Sequence, residues 1–429
     1  MSVRLNELSA AEIAAQISAG ELTARKVMEA CLNRISEREG EVGAFIQIDP
    51  ERALAAAEAA DSRPATGLLH GVPFAIKDII DTAGYPTGWG SSIYDRHQPP
   101  RNASCVEHFC REGAIPIGKT VSTEFAYFQP GKTANPHNLG HTPGGSSSGS
   151  AAAVADAMVP LAFGSQTAGS VVRPAAYCGV LGYKATQGGF DLQGVMGLSP
   201  SLDTLGLMAC SAADLALGRA ALIGSAPGIG AHFSETPPRI ALMRGPDWEN
   251  GSVEMRDVCQ RALARFAESG AETGELAHPE IFEELVECQK TVMAYETGRA
   301  RIYEFAHHRD QLSDHFVALM EQGLAIPRGA YEAAIAMRDR AMRVLETLFV
   351  DIDIILAPAA PGEAPAGLGA TGDPLYNRVW TLLQVPCASV PFGKGPNGLP
   401  LSVQLIAKRG DDNRLLAATK WAHDCLRGA

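Results

Sequence analysis

The sequence predicts an α/β protein: a single α/β/α domain around a large, twisted, mostly parallel mixed sheet. Three observations carry this. Short apolar runs bounded by Gly or Pro begin at Gly71 and alternate with helix-like segments, as in a sheet covered on both faces. A long amphipathic block follows over 253–349. Strand-like runs then return between 351 and 407, and these late strands are expected to rejoin the first sheet.

Residues 8–61 carry Leu, Ile, Ala and Val at helical spacing, with Ser9 and Thr23 placed as N-caps, so 1–62 reads as a helical N-terminal cover. The core over 71–200 supplies the runs GVPFAIK (71–77), AIPIG (114–118), MVPLAF (158–163) and CGVLGYK (178–184), and RIALM (239–243) follows. Helix-like pieces lie between them, including SCVEHFCREG (104–113) and the Ala-rich SAAAVADA (150–157). The section 253–350 is read as largely helical, and 351–429 as C-terminal strands DIDIILAP, ASVPFG and LSVQLIA with a final helix. The stretch rich in Gly, Pro and Ala over 357–374 has apolar strands on both sides, so it reads as a loop over one domain, 1–429, rather than a linker.

Composition narrows the function. With 429 residues, 46% hydrophobic and 20% charged, the chain can bury a large core, and disorder is excluded. A net charge of −12 offers no basic footprint for nucleic acid. The nine cysteines are scattered without a C-x-x-C pair and read as reduced thiols, which favours a cytoplasmic location. The N-terminus lacks an apolar core behind its Arg, and no run reaches about 18 apolar residues, so neither secretion nor a membrane span is expected.

Three segments carry chemistry. The first, GGSSSGS (144–150), runs directly into a small-residue helix; a flexible linker would not, whereas glycines and serines at a helix start allow close backbone approach to a reacting group. The second, GSQTAGSVVRPAAYC (164–178), sets Ser170 in a turn of small residues. There Thr167, Ala168 and Gly169 offer successive N–H groups suited to a tetrahedral oxyanion, each worth about 3 kcal/mol in such sites; the plain alternative is an ordinary strand-to-helix turn. The third is Lys77, set among Val72, Phe74, Ile76, Ile79 and Ile80. Burial there lowers an amine's pKa and frees it to act as a base, the alternative being a lysine paired with Asp78.

Taken together and in this order, GVPFAIKD, GAIPIGKT, NPHNLGHTPGGSSSGSAAAVA, GSQTAGSVVRPAAYCGVLGYK, VPCASVP and LPLSVQLIA resemble the amidase signature family over nearly the whole chain. Within that family the malonamidase-like members are the nearest in pattern. The resemblance implies the amidase signature fold and a cofactor-independent, metal-free amide hydrolase. In it Ser170 is the nucleophile, Ser146 the bridging serine behind a cis peptide bond, Lys77 the final base, and Ser147 a support of their hydrogen bonds. It also implies a homodimer.

Two departures stand out. Gln166 replaces the usual Asp and Ala168 a usual Gly, and Arg173 lies three residues after the nucleophile where many members place it two after. The malonamidase-like members share the later arginine, where it holds a substrate carboxylate; a pairing with a protein carboxylate is the alternative for Arg173. The expected substrate is a small carboxylate-bearing amide such as malonamate, released as acid plus ammonia through an acyl-enzyme. The alternatives are the glutamine-hydrolysing component of a glutaminyl-tRNA-forming amidotransferase, hydrolysis of other small amides or carbamoyl compounds, and a silent scaffold protein.

Two further patterns are set aside. GAIPIGKT (113–120) fits a phosphate-loop spacing, but its Ala-Ile-Pro-Ile centre reads as a buried strand. His137 and His141 are four apart, yet Pro136 and Gly140 argue for a loop rather than a metal-binding helix face, and His307 and His308 read as an exposed helical pair.

Overall fold

The computed structural model describes residues 4–225 and 237–427. In chain order its strands are β1 (Phe45–Ile48), β2 (Pro73–Lys77), β3 (Ile115–Thr120), β4 (Leu161–Gln166), β5 (Leu181–Lys184), β6 (Thr204–Ala209), β7 (Ile240–Arg244), β8 (Thr273–Ala277), β9 (Ile354–Pro358), β10 (Cys387–Lys394) and β11 (Pro400–Ile406). The helices are α1 (Ala10–Ser18), α2 (Ala24–Val42), α3 (Pro50–Asp61), α4 (Ser104–Arg111), α5 (Ser148–Ala155), α6 (Val172–Cys178), α7 (Ala212–Ile223), α8 (Val253–Glu268), α9 (Leu285–Ala300), α10 (Ile302–His307), α11 (Asp314–Ala325), α12 (Arg328–Leu348), α13 (Leu375–Leu382) and α14 (Asp412–Arg427).

All these strands join one sheet in the order β1-β3-β2-β4-β6-β5-β10-β11-β9-β7-β8, so the late strands do rejoin the early ones. The sheet is mixed, but the expected excess of parallel pairing is corrected. Four pairings are parallel (β2 with β3 and with β4, β7 with β8 and with β9) and six are antiparallel. Continuous apolar runs report burial on both faces, which a covered antiparallel centre also produces, so they do not fix direction. One apolar cluster extends from Ala10 to Leu426 through both faces of the sheet.

Local chemistry explains the boundaries. Ser9 caps α1 in a reciprocal box with Glu12, Thr23 accepts the Lys26 N–H at the start of α2, and Ser252 and Ser313 cap α8 and α11 in the same way. Within the phosphate-loop look-alike, Ile115–Thr120 form β3 with Lys119 turned inward, 3.3 Å from Asp78 and 2.7 Å from the Ile80 carbonyl. Two strands lie where helix was expected: β1, inside the N-terminal cover, and β8, inside the helical section. Both sit at the sheet's ends, are four or five residues long and are partly exposed, so neither leaves a continuous apolar signature.

Candidate active site

The site forms at the carboxyl ends of the parallel neighbours β2 and β4, where open α/β sheets present their crevices. Strand β2 ends on Lys77, and β4 ends on Gln166 before residues 167–171 turn into α6. The serine-rich segment leads into α5, whose small residues let it lie against the sheet; a Cβ on Gly149 would stand 2.1 Å from the Ala44 carbonyl oxygen. The peptide between Gly145 and Ser146 is cis, as the family resemblance implies.

These elements bring Lys77 and Ser146 into contact, with Ser147 beside them bonded to β4, whereas Ser170 makes no hydrogen bond to Ser146. Lys77 is fully buried, with Nζ 2.7 Å from Ser146 Oγ and 2.8 Å from Ser165 Oγ. Burial holds the Lys77 amine well below the ordinary lysine range, and the charge of Asp203 opposes this only in part. The Ser147 hydroxyl donates to the Ser165 carbonyl and accepts the Ser165 N–H, each at 3.3 Å, which ties the serine-rich segment to β4. Ser170 lines a pocket of about 290 Å³ together with Thr167, Ala168, Arg173, Phe128 and Met293, and its hydroxyl makes no hydrogen bond among the described residues.

The turn 167–169 is held by its carbonyls. Gln289 on α9 donates to the Thr167 carbonyl at 3.0 Å, Thr381 on α13 donates to that of Ala168 at 2.7 Å, and the Arg173 N–H reaches that of Gly169 at 2.9 Å. Arg378 secures Gln289 by a 2.6 Å bond to its amide oxygen. Among the described residues no protein acceptor takes the N–H groups of Thr167, Ala168 or Gly169. The arrangement can therefore receive a developing anion beside Ser170. Gln166 fills the usual Asp position by chemistry an amide can supply: its side-chain oxygen accepts the Val171 and Val172 N–H groups at 2.9 and 3.0 Å, while its nitrogen donates to Thr381.

Arg173 is buried at the pocket wall without a carboxylate partner among the described residues. Its guanidinium donates to the carbonyls of Gly372 and Gly145, Nε is unpaired, and burial brings its pKa down to about 10. Sequence reading missed Ser165, Gln289, Thr381, Arg378 and Asp203. Asp203 accepts from the Thr167 hydroxyl at 2.6 Å and from the Leu198 and Ser199 N–H groups, and burial raises its carboxyl to about 6. Only Ser165 lay in a segment already singled out; the others carry no local signal. His137 and His141 lie in a loop, with His137 Nε2 2.9 Å from the Cys178 carbonyl. Among the described residues no helix is long and apolar enough to cross a membrane.

Comparison with known proteins gives the family. Residues 26–416 match the Amidase family model. The chain is 33% identical to the A subunit of the glutamyl-tRNA(Gln) amidotransferase of Lachnospira eligens, over 99% of each chain. Among solved structures it superposes on a chain of an inhibitor-bound vestigial protein complex that bears on the origins of an s-triazine catabolic enzyme, with TM-score 0.89, 29% identity and coverage of 97% and 98%. It also resembles the peptide amidase of Stenotrophomonas maltophilia, with TM-score 0.82, 26% identity and coverage of 98% and 97%. The chain belongs to the amidase family and is an enzyme that hydrolyses amide carbon–nitrogen bonds.

Proposed function

We propose that the protein cleaves a small amide bearing a carboxylate, with Lys77, Ser146 and Ser170 as its catalytic group. The observation that carries this reading is the buried Lys77 amine in hydrogen-bond contact with Ser146, together with a pocket lined by Ser170 and by Arg173, a cation without a carboxylate partner among the described residues. Neutral Lys77 takes the proton of Ser146 while Ser146 takes that of Ser170, whose oxygen attacks the amide carbon. The oxyanion is received by the N–H groups of Thr167, Ala168 and Gly169. The relay returns the proton to the leaving nitrogen, the C–N bond breaks, and water then cleaves the ester with Lys77 again as base. The link from Ser146 to Ser170 is completed when substrate binds, as hydrogen bonds in empty sites commonly tighten in the Michaelis complex. Arg173 holds the carboxylate through its unpaired Nε–H, and Ser147 keeps the serine segment in place. No step draws on a metal or an organic cofactor.

Malonamate and glutamine both fit this description. The malonamidase-like position of Arg173 supports the first, and similarity to the amidotransferase relatives supports the second, in which the chain would work with partner proteins rather than as a cytoplasmic homodimer. Ammonia release from malonamate, glutamine and acetamide, with and without such partners, separates them. Ser170→Ala and Lys77→Ala are expected to lower kcat at least about a thousand-fold on every substrate. Arg173→Ala should lose turnover of the acids selectively; equal loss on acetamide would refute the carboxylate assignment.

A further inference from the structure

A second cavity adjoins the first and is larger, with about 630 Å³ of empty space against about 290 Å³. The two share Ala126, Thr167 and Leu198, so they meet across the turn that receives the oxyanion. They differ in what else lines them. Ser170 and Arg173 face the first, whereas the second contains Ser165, the hydroxyl 2.8 Å from Lys77 Nζ. Apart from Ser165, Thr167, Asp203 and Thr204, its wall is apolar, with Ile79, Leu192, Val195, Met196 and Leu198 prominent.

We infer that this second cavity is a leaving-group subsite, and that the enzyme accepts N-substituted amides whose departing amine carries an uncharged apolar group. The inference rests on the catalytic reading above. With the acyl part reaching Arg173 and the carbonyl oxygen at the 167–169 turn, the amide nitrogen faces away from the first pocket. The relay that must protonate this nitrogen runs from Lys77 through Ser146, and Ser165, 2.8 Å from the same Lys77 Nζ, opens to the second cavity. Ammonia is close in size to water, which occupies about 30 Å³, and the second cavity has room for about 210 Å³, more than a primary amide needs. A cationic substituent is disfavoured because both oxygens of Asp203, the one carboxylate in the wall, are already engaged by Thr167, Leu198 and Ser199. The step balances as before: the C–N bond breaks, the nitrogen takes the relayed proton, and a neutral amine departs in place of ammonia.

Gly197 allows the cavity to be filled. It lines the space, its φ is compatible with any residue, and a Cβ there would meet only Asp203 Oδ2, at 3.5 Å. The experiment compares malonamate with N-benzylmalonamate and acetamide with N-benzylacetamide, reading ammonia or benzylamine, for the wild type and Gly197→Phe. Benzylamine is about as basic as ammonia, so the comparison reports fit rather than leaving-group chemistry. The wild type is expected to favour the benzyl member of at least one pair in kcat/KM by tenfold or more, and Gly197→Phe to lower that ratio at least tenfold. A wild-type preference for the primary amide in both pairs, or a ratio unmoved by Gly197→Phe, overturns the subsite. A benzyl preference in the neutral pair without turnover of either acid keeps the subsite and removes the carboxylate reading, and no turnover of any of the four overturns both.

Discussion

At the scale of single residues, the site depends on groups that burial forces into unusual states. Between its lowered folded pKa and the ordinary lysine range, Lys77 is neutral when folded and protonated when unfolded. The unfolded chain then binds more protons, so this group's contribution makes stability rise with pH across that window. On the proposed mechanism activity shares the same dependence, because the neutral amine is lost as pH falls through the folded value. Asp203 favours the charged amine, so Asp203→Asn is expected to shift the acidic limb of the kcat/KM profile to lower pH. Asparagine can still accept the two N–H groups and donate to Thr167, so a pH–rate profile reads the charge rather than a lost fold. Thr381→Val removes the bond to the Ala168 carbonyl and is expected to lower kcat about 10- to 100-fold with little change in KM, while Thr381→Ser restores it. Lys77, Ser146 and Ser170 stand out in the sequence because each sits in a run whose composition is odd for its place, a lysine amid aliphatics and serines amid glycines, and the structure sets the first against the second. Thr381 and Gln289 do not, since a polar residue on a helix announces nothing until the turn it holds is next to it.

The elements show where such legibility ends. Caps were readable because they depend on neighbours within one turn: Ser9 and Thr23 lie where their side chains were expected. Ser9→Ala should cost about 1 kcal/mol in denaturant unfolding, with an unchanged m-value. Strand direction and the short edge strands β1 and β8 were not readable, because pairing is settled by residues far apart in sequence. Gly149 illustrates the same limit. Its Cβ would also lie 2.4 Å from the Val121 nitrogen, so Gly149→Ala is expected to push α5 off the end of β3 and destabilise the protein by about 1–3 kcal/mol. Because Ser146 and Ser147 precede that helix directly, activity should fall further than stability alone accounts for, which assays at a temperature well below the variant's Tm will reveal.

Over the whole molecule, one sheet and one apolar cluster span the described chain, and the reduced state of the cysteines is part of that packing. All nine are free, and six are buried; burial pushes the thiols of Cys31, Cys105 and Cys387 up to about 12. Titration with a thiol reagent should therefore count nine groups in guanidinium and at most three (Cys110, Cys210 and Cys425) in the native protein. The clamp on the 167–169 turn also has a bearing on synthesis. Its parts come from α6, from α9 and finally from Thr381 on α13, so the turn gains its last support only when nearly nine-tenths of the polypeptide has been made. A nascent chain that already carries the proposed nucleophile and base is still without that support, and on the proposed mechanism hydrolysis switches on with completion of the fold rather than with the appearance of the reactive residues.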